Sequence, residues 1–296
     1  MRRLITSIAA ATLLLCAGCT ENRDQEKPKL AVSIPAQKWL LDSIVGGRFE
    51  VVAMLTDGSN PETFEPSMRQ LKDLENARAI FTVGGLPFEQ GMLPKIRENF
   101  PQMQTLPSDT YIERIEGTHC GVEGHEEGHG GHHHDGDPHI WTSLRNASLM
   151  ARDMYERVSK LDPAGKEYYR KRYETLAANL KNLDDSVAAA LAPWQGRSII
   201  VWHPSLSYFV RDYGLKQISV ENEGKEASAA QYRRQLDLAS RERPAVFFLQ
   251  SEFDSRQGEA MARELGLRTA PLSVMQPDIA AQIRQITHDI THNPTH

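Results

Sequence analysis

Seven of the chain's 11 histidines fall in one stretch, "THCGVEGHEEGHGGHHHDGDPHIW", between Thr118 and Trp141. They are His119, His125, His129, His132, His133, His134 and His139. Neutral imidazole, with an ordinary pKa near ~6.5, offers a nitrogen lone pair to metal ions at pH 7. The interleaved glycines oppose regular structure, since each costs roughly 1 kcal/mol in a helix relative to alanine. The same penalty argues against a metalloprotease: "HEEGH" from His125 to His129 fits H-E-x-x-H, but that chemistry needs both histidines on one helical face. A glycine-rich strip wraps an ion in many geometries and loses conformational entropy each time. The six histidines from His119 to His134 are therefore expected to act as a low-affinity metal collector or sensor. A solvated low-complexity loop is the alternative. Cys120, beside His119, is either a further soft ligand or a spectator.

Two histidines stand where the backbone is constrained. His139 follows Pro138, whose ring fixes its own φ and restricts its predecessor, so His139 marks the point where the strip becomes ordered. His203 follows the apolar run "SIIVW". Ligands of doubly wound sheets gather beyond the carboxyl ends of strands, so His203 either coordinates there or hydrogen-bonds at a strand end. Glu62 follows Pro61 in the loop "SNPETFEP". Carboxylate oxygen with imidazole nitrogen suits zinc, or a harder ion such as manganese. His288, His292 and His296 recur every four residues, but Pro294 interrupts them, and the spacing reads as a frayed, solvated helix end.

These residues need elements to hold them. "KLAVSI", "RFEVVAML" and "AIFTV" read as strands, alternating with helices at "PAQKWLLDSIV", "SMRQLKDLENA" and "FEQGMLPKIREN". The second of these helices opens on a capping box, Ser67 with Gln70. After the histidine strip, "SLRNASLMARDMYERVSKL" reads as a helix. A longer one runs from about Pro163 to Ala192, with an apolar stripe at Leu176, Leu180, Leu183, Val187 and Leu191. Some 30 residues of helix span on the order of 45 Å. Strand-helix alternation then restarts at "SIIVW", "KQISV", "AVFFL" and "LRTAPL", and closes on "DIAAQIRQITHDI". The fold class is α/β: two doubly wound lobes with mainly parallel sheets, joined by one long linking helix, with a site in the inter-lobe cleft.

Bulk composition sets the class. The chain has 296 residues, 40% hydrophobic and 25% charged, with a formal net charge of −5. That length suits two domains, and no basic patch points to nucleic acid. Arg2 and Arg3 precede an apolar run from Leu4 to Cys16, too short for the ~20 residues of a membrane helix. It reads as a signal peptide, residues 1–18. "LLLCAGC" resembles the bacterial lipoprotein cleavage box, with Cys19 as the lipidated residue and Cys16 where leucine is usual. Residues 19–28 read as a lipidated tether, 29–160 as the first lobe including a His-rich loop at 117–138, 161–193 as the linking helix, and 194–296 as the second lobe. The expected location is periplasmic, held to a bacterial membrane by the lipid.

Four segments in chain order, "NPETFEP", "GGLPFEQ", "DPHIW" and "HPSLSYFVRDYGL", resemble the metal-binding lipoproteins of bacterial ABC importers for zinc and manganese. These are the cluster A-I or cluster 9 solute-binding proteins, and the zinc-uptake branch is the nearer. The resemblance runs from about Leu30 onward. It implies His139 and His203 as metal ligands and places Glu62 where the family has its first histidine. The family's carboxylate after the last strand falls at Ser273, so a fourth ligand would be water, Asp278 or a loop histidine. It also implies zinc rather than manganese as the cargo and an ABC permease of the inner membrane as the partner. It implies a monomer, no nucleic acid and no catalysis. Two rival readings are a periplasmic metal buffer or chaperone without a transporter, and a zinc hydrolase using Glu65 as its acid/base group.

Overall fold

The computed structural model describes residues 27–116, 136–221, 228–253 and 256–292. The expectations for the signal peptide, Cys19, Cys120, His296 and the loop histidines His119, His125, His129, His132, His133 and His134 lie outside the described residues.

The first lobe comprises β1 (Lys29–Val32), α1 (Pro35–Val45), β2 (Glu50–Ala53), α2 (Met68–Asp73), β3 (Ala77–Thr82), α3 (Pro87–Asn99) and β4 (Gln104–Pro107). Its sheet has the order β2-β1-β3-β4, every pair parallel. Pro35 opens α1, whose missing N–H costs nothing at that position. The helix buries Leu40, Leu41, Ile44 and Val45 and stops at Gly46, whose φ of 60° favours glycine. The Ser67–Gln70 capping box forms: each side chain bonds the other's backbone N–H, at 3.3 and 3.0 Å. α2 ends sooner than its sequence suggests, at Asp73, because Asn76 takes a φ of 69°. The strand β4 was not expected. Its four residues are an edge, partly exposed and closed by proline, too short to show a period.

A 3-10 turn at Ile140–Thr142 leads into α4 (Leu144–Leu161), capped by the Ser143 hydroxyl on Asn146 N. The linking helix α5 (Lys166–Leu191) lies between 3-10 turns at Pro163–Gly165 and Ala192–Trp194. Its 26 residues span roughly 39 Å. Leu176, Leu180, Val187 and Leu191 are buried as the stripe predicts. α5 packs along α4 and against α1, so it is supported along its length.

The second lobe comprises β5 (Ser198–Val201), α6 (Ser207–Tyr213), β6 (Lys216–Ser219), α7 (Ala229–Glu242), β7 (Phe247–Gln250), α8 (Arg256–Leu265), β8 (Thr269–Leu272) and α9 (Ile279–Thr291). Its sheet order is β6-β5-β7-β8, again all parallel. The two lobes thus repeat one strand order with no repeat in sequence. α9 packs back onto α5 and α4 as well as β8. One hydrophobic cluster runs from Leu30 and Phe81 through Trp141 to Val201, Phe248 and Ile283, so the core is continuous between the lobes. Interiors packed this way transmit displacement and resist opening.

Candidate metal centre

Both sheets turn the carboxyl ends of their strands toward one cleft. Glu62 lies in the loop after β2. The Asn60 side chain accepts the Glu62 backbone N–H at 2.8 Å, and Pro61 stiffens the turn between them. His139 lies beyond β4 and starts the 3-10 turn, where its carbonyl accepts from the Thr142 hydroxyl at 2.9 Å. His203 lies two residues beyond β5. Its backbone N–H donates at 2.7 Å to the Gln250 side chain at the end of β7, which in turn donates to the Ser205 hydroxyl.

The structure brings His139 and Glu62 each to the Nε2 side of His203. The Nε2 atoms of His139 and His203 are 3.3 Å apart. Oε1 of Glu62 lies 3.1 Å from Nε2 of His203. Both histidines are buried, and Glu62 keeps partial contact with solvent at the mouth.

Each imidazole has a carboxylate behind it. Oδ1 of Asp137 is 2.8 Å from Nδ1 of His139 and also accepts the His139 backbone N–H. Oε1 of Glu221, two residues beyond the end of β6, is 3.5 Å from Nδ1 of His203. A carboxylate at Nδ1 holds the ring proton there and leaves the Nε2 lone pair free. Two such nitrogens, buried and facing one another beside a carboxylate, call for a shared proton or a cation between them. Burial would raise the Asp137 carboxyl, but the His139 imidazole and its hydrogen bonds overcome this and hold it below the usual range.

The spacing fits zinc. A tetrahedral ion with Zn–N of ~2.0–2.1 Å places two ligating nitrogens about 3.3–3.4 Å apart. Glu62, His203 and Glu221 each offer a ligand atom within 4.8 Å of the others. Oε2 of Glu221 is buried with no hydrogen-bond partner among the described residues. Such an atom costs free energy unless something satisfies it, and a bound cation would.

Sequence reasoning missed Asp137, Glu221, Tyr208 and Phe253. The Phe253 ring stacks on His203 at 4.7 Å and 15°, walling the site against water. Tyr208 of α6 donates to the Asp137 carbonyl at 2.7 Å and accepts Ile115 N at 3.2 Å. It therefore ties the second lobe to both ends of the segment that carries the histidine strip. Asp137 N closes that segment on Ile115 O at 2.8 Å. The Trp141 indole donates to Val274 O at 2.7 Å, and the Ser273 hydroxyl bonds Asp57 and Glu252 at 3.1 and 2.7 Å. The Tyr208, Trp141–Val274 and Ser273–Asp57 contacts cross between the lobes and fix the spacing of the cleft.

Asp278 is a correction. It caps α9 through Ala281 N at 2.9 Å and lines a groove with Trp39, Lys171 and Arg284, so it does not join this cluster. Glu65 is exposed, and its loop brings Glu62, not Glu65, to the histidines.

Residues 30–289 match the family described as zinc-uptake complex component A, periplasmic. The chain belongs to that family. Members are substrate-binding components of uptake systems, not enzymes. The zinc-binding lipoprotein AdcA of Streptococcus pneumoniae (strain ATCC BAA-255 / R6) is 23% identical over 280 residues, 92% of this chain and 54% of AdcA. The chain thus spans about half the length of the AdcA proteins it matches, 54% in that case. The high-affinity zinc uptake system protein ZnuA of Bacillus subtilis (strain 168) is 24% identical over 285 residues, 91% of this chain and 87% of that protein. A crystal structure of ZnuA aligns with a TM-score of 0.81 at 28% identity, covering 90% of this chain and 99% of that one. FpvC of Pseudomonas aeruginosa, solved with Mn2+, shares the fold at a TM-score of 0.72 and 19% identity, over 90% and 96% of the two chains.

Proposed function

We propose that the chain is an extracytoplasmic zinc receptor that delivers its ion to an ABC permease of the inner membrane. The observation that carries this reading is the convergence of Glu62 and the Nε2 atoms of His139 and His203, with a carboxylate behind each imidazole. Family membership and the zinc-binding names of its relatives support the choice of ion. Two imidazoles also favour zinc over the oxygen-rich shells of manganese. Glu62, His139 and His203 hold the zinc, and water completes the shell.

Capture follows from the geometry. The continuous core and the supported linking helix keep the lobes at fixed spacing, so the ligands are preorganised and ordering entropy is small. Zinc is the cation that the two facing nitrogens call for. Acid releases it, because ligands must be deprotonated to bind. The histidines from His119 to His134 collect zinc at lower affinity, and lipid on Cys19 keeps the monomeric receptor at the membrane.

The test is growth of a bacterium lacking the chain in zinc-depleted medium. The wild-type gene restores growth and zinc content, and His203→Ala does not. Equal growth with and without the chain, with only tolerance to excess zinc altered, would make it a metal buffer instead.

A further inference from the structure

The last turn of α9 carries an arrangement outside the cleft. α9 is helical through Thr291, with His292 as its C-cap, so His288 lies within the helix and His292 directly at its end. The helix buries Ile279, Ile283, Ile286 and Ile290 on one face. His288 and His292 are exposed and one turn apart on another. Their rings stack at a centroid distance of 4.0 Å and 26°. Nδ1 of His292 lies 3.2 Å from the His288 carbonyl and 3.0 Å from the Thr291 hydroxyl. A carbonyl only accepts, so Nδ1 carries the ring proton and Nε2 of His292 keeps its lone pair. A backbone carbonyl commonly fixes a ligating histidine in this way. The helix C-terminus adds the negative end of the macrodipole, which favours a cation. Arg284, one turn earlier, lines the groove beside α1 and α5.

We propose that His288 and His292 form a second, solvent-facing site for a divalent d-block cation such as zinc, chelated through the two imidazoles once the exposed His288 ring turns out of the stack and the two lone pairs converge, with water completing the shell. Two neutral donors in water hold the ion more weakly than the buried centre does. The site is independent of the cleft, and it gives the receptor a loading point on the face where α9 ends.

The experiment is a zinc titration of the full mature chain, followed by native mass spectrometry and by long-range 1H–15N correlation of the histidine rings. His288→Ala, His292→Ala and the double variant run alongside. All three are surface changes, and far-UV circular dichroism checks that α9 persists. The expected result is one fewer weakly bound zinc in the double variant, with each single variant weakening that zinc at least tenfold. The two Nε2 resonances shift together in the wild type, and also in His203→Ala, where the cleft is disabled. Unchanged stoichiometry in the double variant would overturn the proposal. So would two ring resonances that shift independently.

Discussion

Nε2 of His139 and Nε2 of His203 face each other 3.3 Å apart, one carried by the turn beyond β4 and the other by the end of β5. The pair joins two lobes whose sheets share a strand order. Its spacing is set by the contacts that cross the cleft, chiefly Tyr208 to Asp137 and Trp141 to Val274.

The carboxylates behind the imidazoles set how well Nε2 donates. Asp137→Asn and Glu221→Gln should each weaken zinc binding by roughly 10–100-fold, as removal of such partners commonly does. Asp137→Asn should cost more, since its contact is 2.8 Å against 3.5 Å. Competition with a chromophoric chelator measures both. Wild-type affinity in both variants would show that neither carboxylate orients its ring.

Tyr208→Phe keeps the buried ring and removes only the hydroxyl. It leaves the Asp137 carbonyl and Ile115 N without that partner, so unfolding stability should fall by about 1–3 kcal/mol. Zinc affinity should fall with it, since His139 loses part of its anchorage. Denaturant titration and the chelator assay together read this. Lost stability with affinity unchanged would mean that Tyr208 holds the fold and not the site.

Deleting residues 119–134 should lower the number of zinc ions bound and leave the tight one at its wild-type affinity. Calorimetry separates the two classes. Loss of all binding would mean that the loop supplies a ligand to the cleft.

Asp162 caps the end of α4 and joins Tyr169 of the linking helix to Arg48 in the turn between α1 and β2. The Tyr169 hydroxyl, at 2.5 Å, lowers the Asp162 carboxyl, burial opposes it, and Arg48 at 2.8 Å lowers it further. A depressed native value contributes stability that is complete above the unfolded value of ~3.9 and is lost as pH falls through the native one. The apo protein should therefore be more stable than Asp162→Asn at pH 7, with the gap closing below about pH 4. Thermal unfolding from pH 7 to pH 2 measures it. A constant gap would show that the contribution is packing rather than charge.

Much of this was legible in the sequence. Pro138 before His139, and an apolar strand before His203, marked the two histidines the structure brings together. The strand-helix alternation gave both lobes, and the stripe from Leu176 to Leu191 gave the linking helix. Glu221 was not legible. It begins the charged run "ENEGKE", which reads as solvated, and only the register of β6 beside β5 carries it behind His203. Asp137 lay in the polar tail of the histidine strip, where nothing local fixes a side chain. Asp278 looked like a free carboxylate near a lost ligand position, but an aspartate before a helix more often caps it. The shared strand order was hidden because pairing is non-local and the two lobes meet it with different residues.

The most direct measurement is a calorimetric zinc titration of the chain lacking residues 119–134, with Glu62→Ala and His203→Ala in the same background. The account predicts one tight zinc, weakened by Glu62→Ala and abolished by His203→Ala. An equally tight zinc in either variant would contradict the assignment of Glu62, His139 and His203 as the centre.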